Sequence, residues 1–261
     1  IVLDDLNRQL KPHGLWFPVD VSTSSRATIG GMTANNSCGG RSIRYGIMRD
    51  NVISISALLA DGSTVNFGKI GDNDELPEGR LGEIQTKLLS IGLKNKAEIL
   101  SKFPKVLRRV GGYNIDSLIP DGMALRPGGK PGDGINLAHL LVGSEGTLAV
   151  FKTITLKLSP LPGRKVMGLC HFPTFYQAMD TAQHLVKLGP VAVELIDSTM
   201  IELARSISLF KPTVERFVRG NPAALLVVEF ADEDPELNQQ KLRDLQSVMG
   251  ELGYCWEKSG N

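Results

Sequence analysis

No stretch of the 261 residues approaches the roughly 20 consecutive apolar positions that a helix needs to span a bilayer. An excess of charge of either sign is also missing. Lys and Arg number 29 against 28 Asp and Glu, for a formal net charge of +1. That balance argues against a general nucleic-acid binder, which needs a basic surface to meet phosphates. Cysteine is scarce. Cys38, Cys170 and Cys255 lie far apart, and no C-x-x-C pair occurs. A zinc or iron–sulfur site made within this chain is therefore not expected, and three free thiols in a reducing compartment are. The four histidines, His13, His139, His171 and His184, are isolated in sequence and read as surface or structural residues, so no metal site is expected. Neither G-x-S-x-G nor HExxH occurs, no phosphate-loop motif is present, and no G-x-G-x-x-G follows a strand. The absence of the last leaves a nicotinamide Rossmann site without support.

What the chain does have is two glycine-rich polar segments. Thr28 to Gly40 puts four glycines and five small polar residues into thirteen positions, and Arg44-Tyr-Gly46 follows closely. So little apolar surface predicts a loop rather than a core element. Such a loop can bring backbone N–H groups against a large polar ligand. Val142-Gly-Ser-Glu-Gly-Thr-Leu148 repeats that character and opens into a strand-like run. Gly30 and Gly31 would let backbone approach a flat ring or a pyrophosphate. Thr28, Thr33, Asn35, Asn36 and Ser37 offer donors and acceptors for its polar edge. From the residues alone, both a large polar cofactor and a tight structural cluster of turns satisfy this pattern.

Around these segments the pattern is mixed. Val2 to Leu10 predicts a helix closed by Gly14, and Leu15 to Pro18 a short extended piece. Strands over 52–60 and 63–67 flank Asp61-Gly62, a hairpin turn. Residues 68–80 read as surface loop, where Asp72 and Asp74 lack the spacing of a calcium loop. Helices are expected over 81–91 and 96–106, separated by Gly92, and a glycine- and proline-rich loop over 120–134. Thr147 to Leu158 alternates as a strand with a slip near Phe151. Pro160 and Pro162 set a domain boundary within 159–163. Beyond it, strands over 166–172, 191–196 and 223–230 alternate with helices over 175–188, 198–209 and 237–252, with a further strand over 254–257. Those lengths predict an α+β layer with helices on one face of a mainly antiparallel sheet.

Pro18 to Gly31, Asn35-Asn-Ser-Cys-Gly-Gly40 and Arg44-Tyr-Gly46 together resemble the second half of the FAD-binding domain of the FAD-linked oxidases, the vanillyl-alcohol-oxidase or PCMH-type flavoproteins. Val142 to Ala149 is similar to their second flavin-contacting segment, and Val110-Gly-Gly-Tyr-Asn-Ile115 to the Gly-Tyr segment between the two. Val193-Glu-Leu-Ile-Asp197 matches the family's cap. The D-lactate and D-2-hydroxyglutarate dehydrogenases are the most similar branch. The long insertion at 68–136 looks like that of large members with appended iron–sulfur modules.

The resemblance implies an α+β chain. Residues 1–160 would be the second FAD subdomain, and 161–261 the first part of a ferredoxin-like substrate cap. Ile1 at the start reads as a cut through a longer protein. The family's pyrophosphate loop would precede it, and its histidine- and glycine-rich metal and substrate segment would follow Asn261. The implied cofactor is FAD, with any iron–sulfur cluster outside this chain. Carried over by motif, the residues near the flavin and its diphosphate are Thr28, Ile29, Gly30, Gly31, Ala34, Asn36, Gly40, Tyr45 and Gly46. Glu145, Gly146 and Val150 would lie near the adenosine half or the ring edge. No catalytic base is identifiable. The first part of the cap offers Arg205, Lys211, Arg216 and Arg219 as cations for a carboxylate, although solvated surface charge is the better account of them.

The implied parent is a dehydrogenase that removes hydride from the α-carbon of a small D-2-hydroxy acid. Its electrons would pass to a quinone, a cytochrome or an iron–sulfur module. Cytoplasmic placement is expected, and peripheral attachment at the inner membrane is compatible with it. The rival reading is a non-catalytic interaction or scaffold module that keeps the fold without the cofactor. The fragment by itself is expected to bind FAD poorly and to be inactive.

Overall fold

The computed structural model describes residues 1–70, 77–120 and 134–254. Contacts divide the chain into two compact units between Leu161 and Pro162.

The first unit opens with helix α1 (Leu3–Leu10). Leu3, Leu6 and Leu10 of α1 face the core, and Gly14 follows in the left-handed region at φ 69°. Strand β1 (Leu15–Trp16) comes next and later pairs near the end of the unit. Helix α2 (Ile29–Asn35) occupies the segment expected to be a loop. It forms because Thr28 caps it, its Oγ1 accepting from the Gly31 N–H at 3.2 Å. Ile29, Met32 and Thr33 supply a narrow buried face, so the small residues are confined to the other side. Helix α3 (Ser42–Tyr45) leads through a 3₁₀ turn at Met48–Asn51 to strand β2 (Val52–Leu58).

Strand β3 (Thr64–Phe67) returns antiparallel to β2 across the expected hairpin. Gly62 there has φ 83°, and Asp61 Oδ1 accepts from the Ser63 N–H. The segment 68–80 is not all loop. Strand β4 (Lys69–Ile70) pairs with strand β5 (Ile135–Asn136). The Asp72 and Asp74 positions, and most of the 120–134 loop, fall outside the described residues.

Helix α4 (Arg80–Lys94) runs straight through Gly92, where a break was expected. Gly92 is buried, and a Cβ there would overlap the Leu118 carbonyl oxygen. The glycine serves close packing, not helix termination. Helix α5 (Lys96–Lys102) stops short of 106 because Phe103 turns extended ahead of Pro104. Helix α6 (Ala138–Leu141) precedes strand β6 (Val150–Leu156), which pairs with the other edge of β2. The register passes from Ala57↔Phe151 to Ser56↔Thr153 and skips Lys152, the slip legible in the sequence. Strand β7 (Ser159–Pro160) pairs with β1 and closes the unit. Its core includes Phe17, Met32, Met48, Ile55, Phe67 and Leu118.

The second unit is a three-stranded antiparallel sheet in the order β8-β10-β9. Strand β8 (Val166–Phe172) leads to helix α7 (Phe175–Leu185), whose cap is Thr174 Oγ1. Strand β9 (Ala192–Asp197) leads to helix α8 (Ser198–Ser206), capped by Asp197. Helix α9 (Lys211–Phe217), missed in the sequence pattern, precedes the central strand β10 (Ala224–Phe230). Helix α10 (Pro235–Glu251) follows, and the expected strand at 254–257 lies almost wholly outside the described residues. One sheet face, with Cys170, Phe172, Leu226 and Phe230, is covered by Ala178 and Leu185 of α7 and by Leu245 and Met249 of α10. This is the expected α+β layer. No helix among the described residues is long and apolar enough to cross a membrane.

Cys38 and Cys170 are free thiols. Burial pushes the Cys170 thiol up to about 12. An unfolded cysteine ionises at about 8.5, so above that pH the unfolded chain gives up a proton that the native state keeps. Stability attributable to Cys170 is therefore full below about pH 8.5 and falls until about pH 12. Urea midpoints across that range should fall faster for the wild type than for Cys170→Ala, and parallel curves would refute the shift.

Candidate functional site

Three sequence segments meet on the first unit. The C-terminal turn of α2 meets the turn at 142–147 through two backbone bonds. The Gly143 N–H donates to the Thr33 carbonyl at 3.0 Å and the Glu145 N–H to the Ala34 carbonyl at 2.9 Å. Asn35 Nδ2 adds a bond to Glu145 Oε1 at 2.9 Å. The third segment, 109–116, joins both. Asn36 Nδ2 donates to the Arg109 carbonyl at 3.4 Å, and the Tyr113 hydroxyl lies 2.7 Å from Thr147 Oγ1. Arg108 reaches across to the Gly40 carbonyl at 3.2 Å.

The junction holds unusual backbone. Asn36 (φ 55°) and Glu145 (φ 51°) are the non-glycine residues in the left-handed region among those described. Such conformations persist where surrounding bonds over-determine them, and they concentrate at ligand clamps. Gly143 sits between them at φ 82°. A Cβ there would lie 3.2 Å from Asn36 Cβ and 3.4 Å from the Gly112 carbonyl oxygen.

Beneath the junction lies a buried charged cluster. Arg49 and Asp116 are each 1% exposed as side chains, and Arg109 is 14% exposed. Arg49 Nη1 donates to both Asp116 oxygens, at 3.0 and 3.1 Å, and to Asn114 Oδ1 at 3.0 Å. Arg109 also pairs with Asp116 and stacks on Phe103, 4.4 Å from the ring centroid. Burial, working against Asp116, pushes the Arg109 guanidinium below its ordinary value. None of these residues stands out in the sequence. Arg49 and Asp116 are 67 positions apart, and no periodicity marks either.

The structure brings most of the expected residues together but assigns them different faces. Thr28, Gly30, Gly31, Glu145 and Gly146 are exposed around the junction. Ala34 and Gly40 are half-buried beside it. Ile29 and Asn36 turn inward. Ile29 is core, and the Asn36 amide is committed to the Arg49 N–H and the Arg109 carbonyl, so neither offers its side chain to a ligand. Tyr45 and Gly46 lie further along, where Asn51 Nδ2 donates to the Tyr45 carbonyl and the Tyr45 ring meets Trp16 edge-on. Val150 is exposed at the start of β6.

The glycines separate fold from surface. Gly39 is required internally, since its Cβ would overlap the Asp20 carbonyl oxygen. Gly30 and Gly111 are different. A Cβ on either meets nothing within 4 Å, neither has a left-handed φ, and both are exposed. Among the described residues neither packing nor backbone conformation explains them, and the same holds for Gly250 in α10 of the second unit. Exposed glycines without a side chain leave room for a ligand to approach the backbone closely. On the second unit, Arg205 is tied to the Gly220 carbonyl at 2.7 Å and to Asn221 at 2.9 Å. Among the described residues no cluster of His, Cys, Asp or Glu could hold a metal.

Comparison with known proteins falls on these same units. Residues 1–68 match the family of the FAD binding domain, and residues 161–254 match the C-terminal domain of FAD linked oxidases. D-2-hydroxyglutarate dehydrogenase of Pantoea ananatis (strain AJ13355) is 32% identical over 90% of this chain and 23% of its own length. The enzyme of the same name from Escherichia coli (strain K12) is 28% identical over 97% of this chain and 25% of its own. D-lactate dehydrogenase of Archaeoglobus fulgidus is 30% identical over 90% of this chain and 40% of its own. The chain thus spans about a quarter of the length of the first two relatives. Among solved structures, alkyldihydroxyacetonephosphate synthase shares the fold with a TM-score of 0.60 at 18% identity, over 96% of this chain and 37% of its own.

Proposed function

We propose that this chain, which matches FAD-linked oxidase families in both of its units, provides a flavin-holding face and part of a substrate cap in a D-2-hydroxy-acid dehydrogenase. The observation that carries the reading is the joining of three glycine-bearing segments, the end of α2, 109–116 and 142–147, in the unit that matches the FAD binding domain, with Gly30 and Gly111 exposed and unexplained by packing among the described residues. The relatives named for D-2-hydroxyglutarate and D-lactate give the substrate class. Residues 1–160 would belong to the FAD-binding domain, with its insertion at 68–136, and 161–261 to the cap.

FAD, when bound, supplies an acceptor for the hydride that leaves the α-carbon of the acid. This chain's part is binding and orientation. Gly30, Gly31, Gly111 and Gly146 leave room for close approach, and Thr28 and the backbone of Ala34 to Gly40 offer polar partners. Glu145, held by Asn35 and the Ala34 carbonyl, borders the same surface. Tyr45, Gly46 and Val150 lie further out. The electron acceptor would be a quinone, a cytochrome or an iron–sulfur module, and placement cytoplasmic or peripheral at the inner membrane.

The test is anaerobic stopped-flow reduction of the purified flavoprotein. At least one D-2-hydroxy acid, D-lactate or D-2-hydroxyglutarate, should bleach the visible flavin band, and its L-enantiomer should not. Equal bleaching by both enantiomers, or none by any 2-hydroxy acid, would sink the substrate class. A folded, colourless full-length parent that takes up no added FAD would favour the scaffold reading.

A further inference from the structure

The bonds that join the three segments converge on Arg49. This residue sits in the 3₁₀ turn just before β2, the central strand, and is therefore fixed to the core of the first unit. Its backbone N–H donates to Asn36 Oδ1 at 3.0 Å, at the end of α2. Its guanidinium holds Asn114 and Asp116 in the second segment. Asn114 Nδ2 in turn donates to the Val142 carbonyl at 2.8 Å and the His139 carbonyl at 3.1 Å, where the third segment begins. Asp116 also pairs with the Arg109 guanidinium. One residue, through its backbone N–H and its guanidinium, thus reaches all three segments within two bonds.

The cluster is a costly way to obtain stability alone. Two guanidiniums against one carboxylate leave an excess positive charge in a largely buried setting. Well-packed apolar side chains of similar volume commonly serve a fold as well or better. What apolar side chains lack is direction, whereas charge-assisted contacts to a fixed carboxylate hold the segments that carry them at a set distance.

We propose that Arg49, Arg109 and Asp116 are positioning residues for the cofactor face, locking the end of α2, the 109–116 segment and the 142–147 turn into one preformed surface. This rests on the flavoprotein reading for the identity of the ligand, but not for the locking itself. A preformed surface binds more tightly because its loops are not ordered at the moment of binding.

The test compares Arg109→Met with Arg109→Lys in the purified protein. Arg109→Met keeps the Arg49–Asp116 pair and restores charge balance, so folding should survive. Without cofactor, amide exchange across 109–116 and 142–147 should quicken by about ten-fold or more in Arg109→Met, while β8 and β10 are unchanged. With FAD, the dissociation constant should rise by about ten-fold, and the visible circular dichroism of the bound flavin should change. Arg109→Lys should recover most of both effects. Unchanged exchange in both loops of Arg109→Met would overturn the proposal. So would equal loosening of the whole first unit, or a failure of Arg109→Lys to recover either effect. A full-length wild-type parent that takes up no FAD defeats the flavoprotein reading instead, and the exchange comparison still decides the locking.

Discussion

Asp116→Asn should destabilise the first unit by about 3–5 kcal/mol, the expected cost of removing one partner from a buried charge cluster. Asp116 is the cluster's single anion, contacted by Arg49 and Arg109, and its side chain is 1% exposed. An asparagine amide could accept from one guanidinium but would turn its own donors toward the other. Both cations would then be buried without a counter-charge. For a unit of this size the midpoint of thermal unfolding should fall by roughly 10 °C. Arg109→Met should cost far less, because the pair it leaves is neutral overall. Urea unfolding with an unchanged slope would measure both. An Asp116→Asn loss below about 1 kcal/mol would mean that water reaches and satisfies the two arginines.

Gly39 and Gly30, nine residues apart, should behave as opposites. Gly39→Ala should cost about 3 kcal/mol, since its Cβ collides with backbone that has no freedom to withdraw. Asp20 is held in place by the Arg41 N–H at 3.1 Å and by the Arg41 guanidinium at 3.7 Å. Gly30→Ala adds a methyl to open space on an exposed helical face and should leave stability unchanged or raise it by up to about 1 kcal/mol. Gly30→Val should keep the fold yet lose flavin on purification, because its bulk stands where the ligand would approach. Thermal melts read the first effect and flavin-to-protein absorbance ratios the second. Normal flavin content in Gly30→Val would remove the main support for a cofactor face there.

Where local rules act, the sequence was easily read. Asp61-Gly62 encodes a turn that only a few residue pairs make, and Lys152 breaks the alternation of β6 where the ladder bulges. The strand–helix alternation after Pro162 is visible because each element there covers a single core. Composition misled at α2. The glycines count against a helix on average, but a Thr28 cap and an inward face of Ile29, Met32 and Thr33 outweigh them. Gly92 misled in the same way, because its role depends on Leu118, which arrives from elsewhere in the chain. The Arg49 cluster was out of reach for a further reason. Buried arginine and aspartate look like ordinary surface residues until the partner 67 positions away is known. The motif resemblance names residues around the junction of the three segments and none of the Arg49, Arg109 and Asp116 cluster beneath it.

The bond between Asn35 and Glu145 spans 110 positions, and β2 waits nearly as long for its second neighbour, β6. This separation sets an order of events. On the ribosome the β2–β3 hairpin can close within microseconds of emerging, but one edge of β2 must stay unpaired until residues 150–156 have been made. Closure of so long a loop is entropically slow, and the ligand face can exist only after it. The nascent chain therefore carries an open strand edge through much of its synthesis, and the hazard at that stage is association with another unfinished chain.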